Sequence, residues 1–116
     1  MTTVRMLGFV DLKPGMAETT FRKTFDDFSQ GLIDRDLSTG WALTRRHPHH
    51  GYDSMPPAQT WLLTTLFRDA AQAEACWDFI EARDTDFASL HDTLNRQVTN
   101  ATFALYDDVP VGEGME

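Results

Sequence analysis

Histidines are the residues of this sequence best suited to chemistry, and three of the four lie close together. They belong to the segment Arg45-Arg46-His47-Pro48-His49-His50-Gly51-Tyr52-Asp53. In an extended backbone His47 and His49 project to the same side, with Asp53 as a third candidate ligand. Two imidazoles and a carboxylate suit iron or zinc, so a metal- or haem-dependent activity is one hypothesis. The alternatives are a loop that folds over a substrate, a contact between subunits and a solvated loop.

The fourth histidine, His91, stands next to an apolar stripe that Leu90 and Leu94 mark on a predicted helix. This position predicts that the imidazole faces the edge of the stripe, toward the sheet or the rim of a cavity. A neutral imidazole there can act as a general acid or base, or hydrogen-bond a ligand. The alternative is a boundary histidine whose ring nitrogens bond a neighbouring carbonyl or side chain.

Aromatic residues near an arginine suggest a ligand-binding surface. Trp41 and Arg45 share one side of a predicted strand, Trp61 begins another, and Tyr52 lies on the connection between them. An arginine among aromatic rings must be paired or reach water. Arg45 is therefore expected to bind a ligand carboxylate or an acidic residue of a second subunit. The candidate ligand-binding residues are Trp41, Arg45, Tyr52 and Trp61. For Tyr52 the alternative is a partly buried aromatic ring with a solvated hydroxyl.

Composition excludes several classes of function. The chain has 116 residues, enough for a single domain at 1–109 with a flexible tail at 110–116. Its net charge of −8 disfavours binding to nucleic acid or to anionic membranes. Cys76 is the only cysteine, no stretch reads as a signal peptide or membrane span, and no GxGxxG or Walker pattern occurs. A cytoplasmic protein with no indicated cofactor is expected.

Hydrophobic periodicity predicts the elements that position these residues. Alternation predicts strands at 4–12, 40–46, 60–67 and 102–106. Helical spacing predicts a helix at about 16–33 and a long helical stretch from Ala70 to Val98. The segment 83–86 interrupts the second apolar stripe, so two consecutive helices or one kinked helix are expected there. Asp69 and Gln72 have the spacing of a capping box at its start.

The order β-α-β-β-α-β predicts a ferredoxin-like α+β domain. Right-handed crossovers place the helices on one face of a four-stranded antiparallel sheet. Several strands carry large apolar side chains on both faces, so the face without helices needs a cover. A second copy of the chain is the simplest candidate, which predicts a homodimer through the sheet face.

Three stretches carry a resemblance to a known group of proteins. They are Val10-Asp11-Leu12-Lys13-Pro14-Gly15, Gly40-Trp41-Ala42-Leu43-Thr44-Arg45-Arg46, and Leu90-His91-Asp92 leading into Phe103-Ala104-Leu105-Tyr106. In these stretches and in element order the chain resembles the dimeric α+β barrel superfamily, and within it an uncharacterised family of bacterial domains. The superfamily includes cofactor-free monooxygenases, isomerases, haem-active enzymes and non-enzymatic effector-binding domains. The resemblance therefore implies a fold and a dimer, but leaves the chemistry open.

Two further functional hypotheses remain open beside the metal one. The first is a domain that binds a small apolar or aromatic ligand between sheet and helices without catalysis. The second is a small cofactor-free enzyme, similar to a monooxygenase or isomerase, with His91 as acid or base. The sequence carries no catalytic signature that decides between them.

Overall fold

Four strands and three helices follow one another in the computed structural model, which describes residues 2–53, 59–83 and 86–109. The elements in chain order are β1 Val4–Leu12, α1 Glu18–Asp34, β2 Gly40–Arg45, β3 Trp61–Phe67, α2 Ala70–Ala82, α3 Phe87–Gln97 and β4 Val98–Asp107. The predicted βαββαβ order is therefore confirmed, with the second helical stretch in two pieces. The expected tail at 110–116 lies outside the described residues, as do residues 54–58 of the β2–β3 connection.

The strands form one antiparallel sheet in the order β2-β3-β1-β4. Val4 pairs with Phe67 and Val10 with Trp61, and all four side chains are buried. Because side chains alternate between the faces of a strand, these residues share one face. That face packs against the helices, so the predicted ferredoxin-like arrangement with helices on one side is confirmed.

The first helix is held to the sheet by a regular apolar stripe. Phe21, Phe25, Phe28 and Leu32 recur at spacings of four, three and four, and each is buried. This spacing keeps the four side chains on one side of the helix. Phe21 meets the indole of Trp61 edge-on, with ring centroids 5.7 Å apart.

The second helical stretch divides where the apolar stripe is interrupted. Asp69 caps α2, its carboxylate accepting the Gln72 backbone N–H at 2.8 Å. The Gln72 side chain bonds the N–H of Arg68, one residue before the position that a capping box requires. Arg83 ends α2 in the left-handed conformation (φ 54°), which turns the chain before α3 begins.

The last strand is longer than expected, and one residue was assigned to the wrong element. Val98 continues the i, i+4 spacing of Leu94 and was predicted to be helical, but it is the first residue of β4. Val98 pairs with Leu12 at the end of β1, and the Lys13 N–H bonds the Gln97 carbonyl at 3.0 Å. Val98 therefore joins the sheet through its pairing with β1, although its spacing from Leu94 also fits a helix.

The other sheet face, called here the open face, has no cover within the described part of the chain. Its apolar side chains are Leu7, Phe9, Ala42, Leu62, Leu66, Ala104 and Tyr106. The molecule is 19 Å thick along its shortest axis, the thickness of one sheet and one helical layer. No described helix has the length and apolar character needed to cross a bilayer.

Candidate functional site

A cavity of about 380 Å³ lies between the helices and the sheet, and is called here the interlayer cavity. Its lining is mostly aliphatic and aromatic, with four uncharged polar or titratable side chains and one carboxylate. The lining residues are Met6, Gly8, Val10, Phe25, Phe28, Leu32, Leu63, Thr65, Phe67, Cys76, Trp77, Ile80, Glu81, His91, Leu94, Asn95, Val98 and Phe103. A partly open space of this volume among core side chains is a candidate site for a small molecule.

A glycine in the central strand β1 makes room for the ring of Phe103 in the cavity wall. Gly8 has cross-strand neighbours Leu63 on β3 and Phe103 on β4. A Cβ atom at Gly8 would lie 2.9 Å from Cε1 of Phe103, so the phenyl ring occupies the space that a side chain would need. Phe103 points toward the helical layer but is 65% exposed, because β4 is an edge strand that the helices leave open.

His91 lines this cavity from α3, in contact with the sheet-facing stripe of α1. Its ring lies 5.5 Å from the Phe28 ring, centroid to centroid. Burial lowers the pKa of His91 below its ordinary value; Asp92 opposes this shift and Arg83 adds to it. The imidazole is therefore neutral at neutral pH, with one nitrogen that donates and one that accepts a hydrogen bond.

The cysteine in the cavity wall is chemically quiet. Cys76 is 3% exposed, and burial raises the pKa of its thiol to about 11. The thiolate is the reactive form of cysteine, so this side chain is a poor nucleophile at neutral pH. Cys76 contributes a small apolar surface to the cavity wall.

Three of the predicted ligand-binding residues meet elsewhere, in a polar recess between α1 and β2. This recess is lined by Glu18, Arg22, Asp26, Trp41, Ala42, Leu43, Arg45 and Trp61. Arg45 bonds Glu18 of its own chain at 3.2 Å and stacks over Trp61 at 5.6 Å. The indole N–H of Trp41 donates to Asp26 at 3.1 Å.

The polar recess and the interlayer cavity share no lining residue. The structure therefore brings Trp41, Arg45 and Trp61 together but does not bring them to His91. Within the chain, the Arg45 guanidinium donates a hydrogen bond to Glu18. Its expected binding to a ligand carboxylate or to an acidic residue of a second subunit stays a prediction.

The histidine-rich loop is organised by its own contacts. Asp53 accepts a hydrogen bond from Nε of Arg46 at 2.8 Å, and His49 Nδ1 accepts the Tyr52 backbone N–H at 3.1 Å. Tyr52 is 94% exposed and lines neither cavity nor recess. Within 2–53, 59–83 and 86–109, no three His, Cys, Asp or Glu side chains are placed to hold a metal ion. The structure thus does not assemble His47, His49 and Asp53 as ligands.

Several residues of the interlayer cavity were not identified as site residues from the sequence. The lining residues with exposed side chains are Glu81, Asn95 and Phe103. Together they define what is called here the mouth of the cavity. Trp77 meets Phe67 edge-on, with ring centroids 6.0 Å apart, and it also lines the cavity. A glycine among apolar residues in β1 was the available signal, because such a glycine often marks close approach of another group.

Comparison with known proteins identifies the family and the fold. Residues 5–116 match DUF6614, described as a family of unknown function. No curated protein matches the chain.

Among solved structures, the Arabidopsis thaliana protein At3g17210 is similar with a TM-score of 0.69 and 6% identity over 94% of this chain and 96% of that one. SnoaB, a cofactor-independent oxygenase from Streptomyces nogalater, has a TM-score of 0.68 and 10% identity over 94% and 95% of the two chains. A dimeric ferredoxin-like protein of unknown function from Thermobifida fusca has a TM-score of 0.60 and 5% identity over 90% of each chain. These likenesses confirm the ferredoxin-like fold that the sequence predicted.

Proposed function

The chain belongs to DUF6614, a family of unknown function, and from the geometry of the interlayer cavity we propose that it binds a small apolar or aromatic molecule there. The observation that carries the proposal is the cavity itself. A volume of about 380 Å³ falls within the range of small-molecule sites, and its predominantly apolar wall with a few polar groups is typical of them.

A binding experiment with a cavity-filling variant tests this proposal. Uncharged naphthalene-sized probes are titrated into the protein and followed by calorimetry. Gly8→Leu places a branched side chain in the cavity, next to the Phe103 ring, which must shift to accommodate it. We expect the variant to weaken probe binding by about tenfold or more, since the leucine side chain occupies part of the cavity and removes apolar contact area from the probe.

The control is Ala71→Leu, which adds the same side chain on the exposed surface of α2. Circular dichroism and denaturant unfolding establish that both variants remain folded. Undiminished binding in folded Gly8→Leu contradicts the proposal. If the probe occupied the polar recess, Arg45→Gln would weaken binding and Gly8→Leu would not.

A second candidate is a cofactor-free enzyme in which His91 transfers a proton. It is supported by a neutral imidazole in the cavity wall, and SnoaB, which is similar in fold, is described as a cofactor-independent oxygenase. For any bound compound that the protein converts, His91→Gln should lower turnover while binding is retained, because glutamine keeps hydrogen bonding without a usable pKa. Unchanged turnover in this variant contradicts the role.

We also propose that the open face binds a second copy of the chain. Leu7, Phe9, Leu62 and Leu66 form its centre, where two central strands lie side by side. Apolar surface of this extent is uncommon on a monomer. The Thermobifida fusca protein of similar fold is described as dimeric, which supports this arrangement.

A further inference from the structure

We propose that Glu81 makes the interlayer cavity select its ligand by charge, admitting neutral molecules and amines and rejecting carboxylates and other anions. The inference rests on the proposed function, because it concerns which molecules the same cavity binds. The proposed ligand has an apolar body and a neutral or cationic polar end. Glu81 is the residue that determines this preference.

The charges in the cavity wall support this assignment. Glu81 is the one lining side chain that carries a formal charge at neutral pH, among the lining residues that the structure describes. Thr65 and Asn95 are neutral, and burial lowers the pKa of His91, which keeps its imidazole uncharged. No described lysine or arginine lines the cavity, so an anionic ligand has no countercharge there.

The arginines near His91 are engaged with other groups. Arg83 donates to the Asp92 carboxylate through both terminal nitrogens, one bond measuring 3.0 Å. Arg96 donates to the Thr93 hydroxyl at 3.2 Å. The Arg83–Asp92 pair contributes no net charge, and neither Arg83 nor Arg96 lines the cavity, so the Glu81 carboxylate is the remaining charge among the described lining residues.

Glu81 also stands at the place where a ligand's polar end would lie. It belongs to the last turn of α2 and is exposed, as is Asn95 on α3, whereas the deeper wall is apolar. A ligand that buries its apolar body leaves its polar end at this mouth. An ammonium group there gains an ion pair with Glu81, and a carboxylate meets a like charge with reduced hydration.

Three probes that share one apolar body test the inference: naphthylmethylamine, naphthylmethanol and naphthylacetate. Calorimetry at neutral pH measures their dissociation constants on the full chain. We expect the amine to bind about tenfold more tightly than the carboxylate, a modest ratio because Glu81 is partly screened by water. The alcohol should lie between them.

Two variants assign the preference to Glu81. Glu81→Gln should remove most of the difference in affinity between amine and carboxylate, and Glu81→Lys should reverse the order. The matched control is Glu74→Gln, which removes the same charge from α2 about 10 Å away along the helix axis. It should leave the ratio within about twofold of the unmodified protein, since water screens charges at that distance.

The outcomes separate this inference from the proposed function. If the alcohol does not bind at all, the proposed function fails and the inference with it. If all three probes bind equally, or if Glu81→Gln leaves the ratio unchanged, the inference is overturned while ligand binding stands. An equal effect of Glu74→Gln and Glu81→Gln also overturns it, because the preference then reflects the net charge of the whole protein.

Discussion

At the scale of single residues, His91 shows how a position on a helix sets the protonation state of a side chain. The imidazole lies against the Phe28 ring at the edge of the helical layer. Burial there disfavours the charged form and lowers its pKa, although the neighbouring Asp92 carboxylate favours the charge. The result is a neutral hydrogen-bonding group inside a mostly apolar wall.

This shift makes stability depend on pH in a defined window. The folded pKa of His91 lies below its unfolded value of about 6.5, so the unfolded chain binds the extra proton first. Neutral His91 therefore contributes stability above pH 6.5 that is lost as the pH falls through the window below it. We expect unfolding free energy, measured in urea between pH 7.5 and 5, to decline less steeply in His91→Gln than in the unmodified protein.

The carboxylates with lowered pKa values do not interfere with this measurement. They are Asp11, Asp36, Asp92 and Asp108. Their contributions are lost progressively below about pH 5, the lower limit of the measured range, as the pH falls toward their lowered folded pKa values. His50→Gln, at an exposed position in the β2–β3 connection, is the control. Parallel pH profiles for the unmodified protein and His91→Gln contradict the prediction.

At the scale of elements, the start of α2 joins three parts of the chain. The buried Gln72 accepts the Arg68 N–H and donates to the Asp36 carbonyl, and its own N–H bonds Asp69. These bonds anchor α2 to the turn that follows α1. Because α2 supplies one wall of the interlayer cavity, its first turn positions that wall.

Removing the cap should therefore weaken the protein measurably. Asp69→Ala leaves the Gln72 N–H without its 2.8 Å acceptor and should reduce the free energy of unfolding by about 1 kcal/mol. Asp69→Ser should recover most of this loss, because a hydroxyl also caps a helix. Asp78→Ala, at an exposed position within α2, removes the same charge and should have little effect. Equal losses in both alanine variants, measured by urea unfolding, contradict the prediction.

At the scale of the whole molecule, the sheet has one protected face and one unprotected face. Helices cover Val4, Val10, Trp61 and Phe67, whereas the open face presents Leu7, Phe9, Leu62 and Leu66 without a cover in the described chain. A second copy would bury this apolar surface, and two-fold symmetry lets the same patch serve both partners.

If the open face forms the dimer, one substitution on that face should halve the mass at which the protein sediments. Phe9 pairs with Leu62 at the centre of the open face, so Phe9→Glu should place a charge in the contact and shift the protein to monomer. Sedimentation at micromolar concentration measures the change, and Tyr52→Ser, at an exposed loop aromatic, serves as control. If the unmodified protein already sediments as a stable monomer, the open face is not an interface between copies.

Sequence alone determined the elements and their order, because periodicity is a local property. The stripe from Phe21 to Leu32 and the alternation of β1 each required knowledge of the neighbouring residues only. The same local rule misassigned Val98, whose state depends on pairing with the distant Leu12. It also indicated where the second helical stretch divides, since the apolar stripe stops before Arg83.

Tertiary structure decided which side chains meet. Trp41 and Arg45 lie on β2, an edge strand beside α1, whereas His91 faces a cavity over β1 and β3. Sheet order separates them, and no spacing in the sequence encodes that distance. Glu81 illustrates the same limit, because an exposed glutamate on a helix has an ordinary sequence context. Its place at the mouth of an apolar cavity arises only when α2, α3 and the sheet pack together. The reason is that burial and the distance between charged groups depend on how the layers are assembled.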